Sequence, residues 1–401
     1  MPPPAKQPVR PAPASRKSLK IALFTYATKP RGSVIHTLEL AEALTAQGHT
    51  VSIYALDKDG QGFDQSLRST VHLVPTQPAP NNIDALIQQR IQEFVDYLSA
   101  HSSRHDIYHA QDCIGANALL HLRQTGQIPH FVRPIHHVDA YESPYLQQCQ
   151  DKSIRQPDLR LCVSDRWQQA LRDDYGIDAP KVLNGVNTSR FSPQPSGQEA
   201  NLKQRYGLSG QPIYLTIGGI EPRKNSIRLL QAFAQVQQHF PQAQLVIAGG
   251  ATLFDYQPYR EKFFHQAEQL GIVTGKSLIL PGVVPAEDLP SLYRCADAFC
   301  FPSVKEGWGL VVMEAIASGL PVITANQAPF TEFLTPDQAL LVDPSDVEAI
   351  AQAIITVIDP ALTKSLQTKS RSVLRHYSWA RSAQMHLQQY EALLQSHHAS
   401  C

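Results

Sequence analysis

One pattern constrains this chain more than any other, because it runs twice. Short, nearly unbroken apolar segments alternate with longer segments whose apolar residues recur every three or four positions. "KIALFTY" at 20–26, "TVSIYAL" at 50–56, "TVHLVP" at 70–75, "DIYHA" at 106–110, "HFVRPIH" at 130–136 and "LRLCVS" at 159–164 read as strands. Between them the spacing predicts a helix with Val34, Leu38, Ala41 and Leu44 on one face, stopping near Gly48, and helices over 82–100, 114–125 and 165–174. Strands covered by helices on both faces are apolar throughout, and a helix joining two of them is the crossover of a parallel sheet.

From Asn184 to Pro212 the sequence turns polar and rich in Gly, Pro, Ser and Gln. The series then restarts with "PIYLTIGG", a helix over 226–239, "AQLVIAGG", a helix over 258–270, "SLILPG", a helix over 287–295, "DAFCFPS", a helix over 309–318 and "PVIT". Helices are also expected over 345–358 and 361–375, and 379–395 is amphipathic. The fold class is therefore α/β, with two Rossmann-like parallel-sheet domains facing a central cleft. The expected partition is a Pro-rich basic tail at 1–19, a first domain at 20–185, a linker at 186–211, a second domain at 212–376 and a terminal helix at 377–401 that packs back on the first. In open α/β sheets ligands sit outside the carboxyl ends of the strands.

Composition narrows the function. Lys plus Arg number 35 and Asp plus Glu number 35, so no basic excess marks a nucleic-acid binder. No apolar run approaches the ~18 residues of a membrane span. The six cysteines are scattered, without a C-x-x-C pair, which fits buried reduced thiols rather than disulfides or a metal site. Residues 1–19 hold six prolines and four cations without an acid, and no apolar core of a secretory signal. Disorder is expected there, with at most a weak contact to an anionic surface. The expected location is the cytoplasm, at most peripheral at the inner face of the membrane.

The most informative stretch is "PSVKEGWGLVVMEAIASGLPVIT", Pro302 to Thr324. A strand ends, a loop carries Glu306, Gly307 and Gly309, and a helix begins near Leu310, where free amides suit an anion or a row of hydroxyls. Glu314 lies within an otherwise apolar helix, where a carboxylate needs a partner. Taken singly, Glu306 reads equally as a helix-start acid and Glu314 as a surface residue. On the first half, Gly32 in "KPRGSVIH" precedes a helix and lets backbone approach a phosphate, although a plain turn explains a lone glycine as well. His136 or His137 ends a strand. Arg133, Asp139 and Glu142 lie close by in sequence as acceptor contacts. His109 ends another strand, with a core histidine as the alternative, and Ser164 is either an acceptor-side residue or the cap of the following helix.

The segment at 306–322 resembles the "E-G-x-G-L-x-x-x-E-A-x-A-x-G-x-P-V" signature of the family 4 retaining glycosyltransferases, which have the GT-B fold. "NGVNTSRFSP" at 184–193 is similar to their interdomain "N-G-V-D-x-x-x-F-x-P", and "TIGGIEPRKN" at 216–225 to "x-G-R-L-x-P-x-K-G". "HTLELAEALTAQGHTV" and "DIYHAQD" add two more matches, so the resemblance covers nearly all of 20–395.

The resemblance implies a hexosyl transfer from a nucleoside diphosphate sugar, with retention, to a small-molecule, lipid-linked or glycan acceptor. It implies that Glu306 contacts the donor sugar and Glu314 the ribose, and that Gly307, Trp308, Gly309 and Leu310 flank the sugar and diphosphate. Trp308 stands where Phe is usual. Lys224 matches the family lysine that neutralises the diphosphate. The family arginine is missing, with Gly219 in its place, and Arg223 is expected to restore the charge unless it is a solvated loop residue. Arg31 replaces one of two glycines usual near Gly32. His136, with His137 as alternative, is placed near the reacting carbon. No cofactor is expected, and no metal either, because Lys224 and the helix dipoles can neutralise the diphosphate. A sugar-nucleotide epimerase of similar shape and a non-catalytic scaffold are the competing readings.

Overall fold

The computed structural model describes residues 18–101, 103–250 and 256–399. The expected tail lies almost wholly outside them, as does Cys401. The first series folds into β1 (Lys20–Thr25), α1 (Gly32–Ala46), β2 (Thr50–Asp57), β3 (Thr70–Pro75), α2 (Ile83–Ala100), β4 (Ile107–Ala110), α3 (Cys113–Gln124), β5 (Val132–Ile135), α4 (Pro144–Arg155), β6 (Leu159–Cys162) and α5 (Asp165–Tyr175). The next helix is α6 (Glu199–Tyr206). The second series gives β7 (Ile213–Ile217), α7 (Ser226–His239), β8 (Gln244–Ala248), α8 (Gln257–Gln269), β9 (Leu278–Gly282), α9 (Leu289–Cys295), β10 (Ala298–Phe301), α10 (Leu310–Ala317), β11 (Val322–Ala325) and β12 (Leu340–Val342). Three helices, α11 (Val347–Thr356), α12 (Pro360–Ser370) and α13 (Trp379–Ala399), complete the chain.

Each series makes one six-stranded parallel sheet, in the orders β3-β2-β1-β4-β5-β6 and β12-β11-β10-β7-β8-β9. The order reverses direction between β1 and β4 in one sheet and between β7 and β10 in the other. Side chains of β1, β4, β5, β8, β10 and β11 are buried almost throughout, as two-sided coverage requires. At a reversal point the loops leaving two neighbouring strands part to opposite faces, and the gap between them is where a ligand fits.

Two helices lie where the sequence pattern marked none. Residues 139–157 contain α4, whose start is set by the Ser143 side chain accepting from the Leu146 amide and by Pro144 in the first turn. The linker contains α6, ended by Gly207 in the left-handed conformation (φ 66°) and buried only through Leu202. Arg294 on α9 donates to Glu199 at 2.6 Å, so α6 is tied to the second half. The short strand β12 was not anticipated, and the expected 361–375 helix ends at Ser370 in a 3-10 turn over Arg371–His376.

After this turn the chain crosses back. Trp379, Ala383, Leu387, Tyr390 and Leu393 of α13 join one buried cluster with β1, β2 and α1. The two crossings touch: the Val186 amide donates to the Tyr377 carbonyl at 3.2 Å, and a Cβ on Gly185 would stand 2.2 Å from the Trp379 nitrogen. Among the described residues no single helix is long and apolar enough to cross a membrane.

Candidate active site

A cavity of about 440 Å³ opens between the two sheets at both reversal points. From the first half it is lined by the loop after β1 (Tyr26, Arg31, Gly32), by Gln111 and Asp112 after β4, and by His136, His137 and Asp139 after β5. From the second half come Gly218, Glu221, Arg223 and Lys224 after β7, Gly249 and Gly250 after β8, and Glu306 to Leu310 and Glu314 after β10.

The second half contributes a charged cluster. Lys224 Nζ donates to Glu306 Oε1 at 2.7 Å, Arg223 Nη1 to the same oxygen at 3.1 Å, and Ser303 Oγ also, at 2.8 Å. Arg223 Nε lies 3.0 Å from Glu221 Oε2, and Arg31 of the first half lies 3.7 Å from Glu221 Oε1. Three cations thus face two carboxylates, leaving one positive charge for a ligand. Burial opposes the charge on Glu306, but Lys224 and Arg223 outweigh it and hold the carboxyl below its ordinary range. Burial pulls Lys224 down to about 8, with Arg223 adding to the effect. Its ammonium also stands 4.5 Å over the Phe301 ring.

The local fold explains why these groups meet. Asn225, held at φ 61°, donates to the Pro302 carbonyl at 3.0 Å and the Pro344 carbonyl at 2.6 Å. The Ser303 hydroxyl and Val304 amide both donate to the Arg223 carbonyl. The loops after β7 and β10 are therefore one stitched unit. Gly219 is packed rather than open: it has φ 78°, and a Cβ there would stand 2.9 Å from the Gly250 carbonyl oxygen. It does not line the cavity, and the missing family arginine has no room. Arg223 does line it.

Gly307 packs across the cleft, where a Cβ would lie 2.7 Å from the His136 carbonyl oxygen. Gly309 precedes α10 at φ 107° against the Phe330 ring, without a side-chain cap, so the first amides of α10 face the cavity. Gly32 opens α1 in the same way, with nothing within 4 Å of a Cβ position. Trp308 lines the cavity, but its ring is only 4% exposed and packs on Phe333 and Tyr377 at 4.9 and 5.2 Å between centroids. Glu314 is buried, accepts from the Tyr293 hydroxyl at 2.8 Å, and is pushed by burial up to about 7.

On the first half, His136 lies in the cavity wall with Nε2 3.0 Å from Gln111 Oε1, and burial pulls it down to about 3, so the ring is neutral at neutral pH. His137 also lines the cavity, half exposed, with Nε2 3.0 Å from Asp139 Oδ2. Asp139 pairs across the cleft with Lys305 at 2.9 Å. Burial opposes its charge, but His137 and Lys305 hold the carboxyl far below its ordinary range.

Three residues expected at the site on the first half, His109, Ser164 and Glu142, fall elsewhere. His109 is fully buried, outside the cavity, with Nδ1 2.5 Å from the Tyr390 hydroxyl, because α13 covers that side of the sheet. Ser164 caps α5 by accepting from the Trp167 amide at 3.3 Å, and it too lies outside the cavity. Glu142 is exposed and does not line it. Sequence reasoning missed Glu221, Gln111 and Tyr141. Glu221 sits beside the lysine motif, and its place two residues before Arg223 was the available signal.

Residues 198–372 match the family described as glycosyl transferases group 1, and residues 30–190 match glycosyltransferase family 4. O-antigen chain mannosyltransferase B of Escherichia coli is 28% identical over 256 residues, which are 62% of this chain and 64% of that protein. A GDP-mannose-dependent alpha-(1-6)-phosphatidylinositol monomannoside mannosyltransferase of Mycolicibacterium smegmatis is 31% identical over 206 residues, 49% of this chain and 51% of that protein. The matched stretch spans less than two thirds of the length of either relative. Sucrose-phosphate synthase from Thermosynechococcus elongatus superposes with a TM-score of 0.77 at 23% identity, over 94% of this chain and 100% of that one. The two family matches together span most of the chain, on the two halves that frame the cavity, and the chain therefore belongs to the glycosyl transferases group 1 and glycosyltransferase family 4, with the GT-B fold.

Proposed function

We propose that this chain transfers a hexosyl group, with retention at the anomeric carbon, from a nucleoside diphosphate sugar to an acceptor held on the first half. The observation that carries the reading is the cluster of Lys224, Arg223 and Glu306 beside the N-terminus of α10, directly across the cleft from His136. As the bond between sugar and diphosphate breaks, negative charge grows on the leaving oxygen. Fixed cations and helix amides aimed at that charge lower the barrier without rearranging during reaction. Lys224 and Arg223 supply the cations, so the role the family arginine plays falls to Arg223.

Glu306 has a second task. It holds both cations in place and accepts hydrogen bonds from sugar hydroxyls once the diphosphate draws the cations away. Glu314, buried and about half protonated at neutral pH, takes the ribose diol. The neutral His136 faces the sugar without adding charge beside a carbon that becomes positive. The acceptor oxygen attacks from the face the diphosphate leaves, and the departing phosphate oxygen takes its proton, so no protein carboxylate has to act as nucleophile.

Charge compensation by side chains means that turnover survives a chelator. The mannosyltransferase relatives make GDP-mannose the first donor to test, followed by UDP sugars. The test is a thermal-shift screen over sugar nucleotides and their free diphosphates, followed by product analysis with the donor that stabilises most. Stabilisation by one nucleotide sugar with slow release of its sugar to water supports the reading. Interconversion of the sugar without release points to an epimerase, and the lack of any nucleotide response points to a scaffold.

A further inference from the structure

The first half of the cavity holds a cation that donor chemistry does not use. Arg133, on β5 three residues before His136, lines the cavity and is only 7% exposed. Its Nη1 donates to the Ser153 hydroxyl, and its Nε has no partner. No carboxylate among the described residues forms an ion pair with it. Asp112 acts on it from a distance, but both Asp112 oxygens already accept main-chain amides, Tyr26 at 2.9 Å and Gly115 at 2.8 Å. Cys113, the other neighbouring group, is no counter-ion, since burial pushes its thiol up to about 11.

Burying an ionised guanidinium without an anion is unfavourable, and the fork of an arginine matches a phosphate or carboxylate. Ile87 on α2 and Leu146 and Cys149 on α4 make the apolar part of this wall, with Gln111, Asp112, Tyr141 and Gln150 as its polar groups. A neutral glycan acceptor would leave the guanidinium unpaired against this wall.

We propose that the acceptor carries an oxyanion, a phosphate or a carboxylate, that pairs with Arg133, while Ile87, Leu146 and Cys149 cover an apolar part of the same molecule. This rests on the transferase reading and names its acceptor class. Arg133 is then what sorts acceptors, independently of the donor cations in the other half.

The experiment is done on protein saturated with the nucleoside diphosphate that stabilises it best, so that the donor cations are occupied. Melting temperature is followed against inorganic phosphate, mannose 6-phosphate, acetate and mannose. The expected result is stabilisation by phosphate and mannose 6-phosphate if the anion is a phosphate, or by acetate if it is a carboxylate, with none from mannose. Arg133→Gln is expected to weaken the anion response at least tenfold while nucleotide affinity stays within twofold. If that variant does not fold, Arg133→Lys, which keeps charge but not the fork, is expected to bind the anion several-fold more weakly. Nucleotide binding without any anion response in the wild type, or an unchanged response in either variant, overturns this inference and leaves the transferase reading standing. Absence of nucleotide binding overturns the transferase reading itself.

Discussion

Lys224 is under two opposing demands. Burial favours its neutral form, at about 8, whereas its proposed task needs the charge. It is therefore charged at neutral pH and loses the proton as pH rises through about 8. Donor affinity is accordingly expected to fall above that pH, as measured by nucleotide titration across pH 6.5 to 9.5. Lys224→Arg should move the fall to higher pH while keeping some turnover. Lys224→Ala should cost roughly 10²–10³ in kcat, the scale of removing one fixed group that stabilises transition-state charge. Arg223→Ala should cost less, roughly tenfold or more, because Arg223 shares Glu306 with Lys224. Full turnover in that variant would mean that Arg223 does not replace the family cation. Restoring the family residue by Gly219→Arg is expected to fail. The left-handed backbone and the Gly250 carbonyl both oppose a side chain there, and strain of about 1–3 kcal/mol should appear as a lower melting temperature without a gain in activity.

The loop after β10 works as an element because of where its glycines stand. Gly307→Ala pushes a methyl against the His136 carbonyl, so the loop has to back away from the first half. The expected result is a rise in KM for the donor with the thermal stability nearly kept, read by steady-state kinetics and melting temperature. At this scale the sequence was most legible where burial is two-sided. β1, β8 and β10 are read directly, since apolar runs of that length between turn signals have few other uses. Short or polar elements were not. α4 presents Leu146, Cys149 and Ile154 among Gln, Lys and Asp, and α6 buries one residue, so neither makes a clear apolar stripe. Ser143-Pro144 was a start signal for α4 all the same. The site divides similarly. Lys224, Glu306 and Glu314 follow from motif and strand end, whereas Glu221 and the unpaired state of Arg133 depend on which loops the fold brings together. His109 is a core histidine under α13 and Ser164 a helix cap, the alternative reading of each, because a strand end alone does not say which side chains reach the cavity.

At the scale of the whole molecule, the two halves share one buried cluster, which joins Ile135, Val163 and Trp167 of the first to Trp308, Phe330 and Phe333 of the second, and specific polar contacts add to it. Glu332 of the second half accepts from the Asp165 and Arg166 amides at 2.7 and 2.9 Å, completing the N-terminus of α5. Trp167 Nε1 donates to the Glu306 carbonyl at 3.0 Å, and Lys305 pairs with Asp139. These contacts join the two walls of the cavity. Behind it, His36 and His109 lie buried beside His386 of α13, and His136 of the cavity wall packs edge-on against His36. Burial pulls all four below the ordinary 6.5, His386 to about 4 and His136 to about 3. The unfolded chain takes up these protons near 6.5 and the folded chain does not. Stability should therefore fall as pH drops from about 6.5 towards 4, by on the order of 3 kcal/mol for His386 alone. A melting temperature that stays flat across that interval would show that the histidines do not resist protonation. His386→Leu should flatten the acid limb.

The account stands or falls on the diphosphate site of the second half. Calorimetric titration of wild type, Lys224→Ala and Arg133→Gln with GDP and UDP tests it most directly. The expected result is saturable binding of one diphosphate to the wild type, weakened at least tenfold by Lys224→Ala and unchanged by Arg133→Gln. Equal affinity in wild type and Lys224→Ala would contradict it.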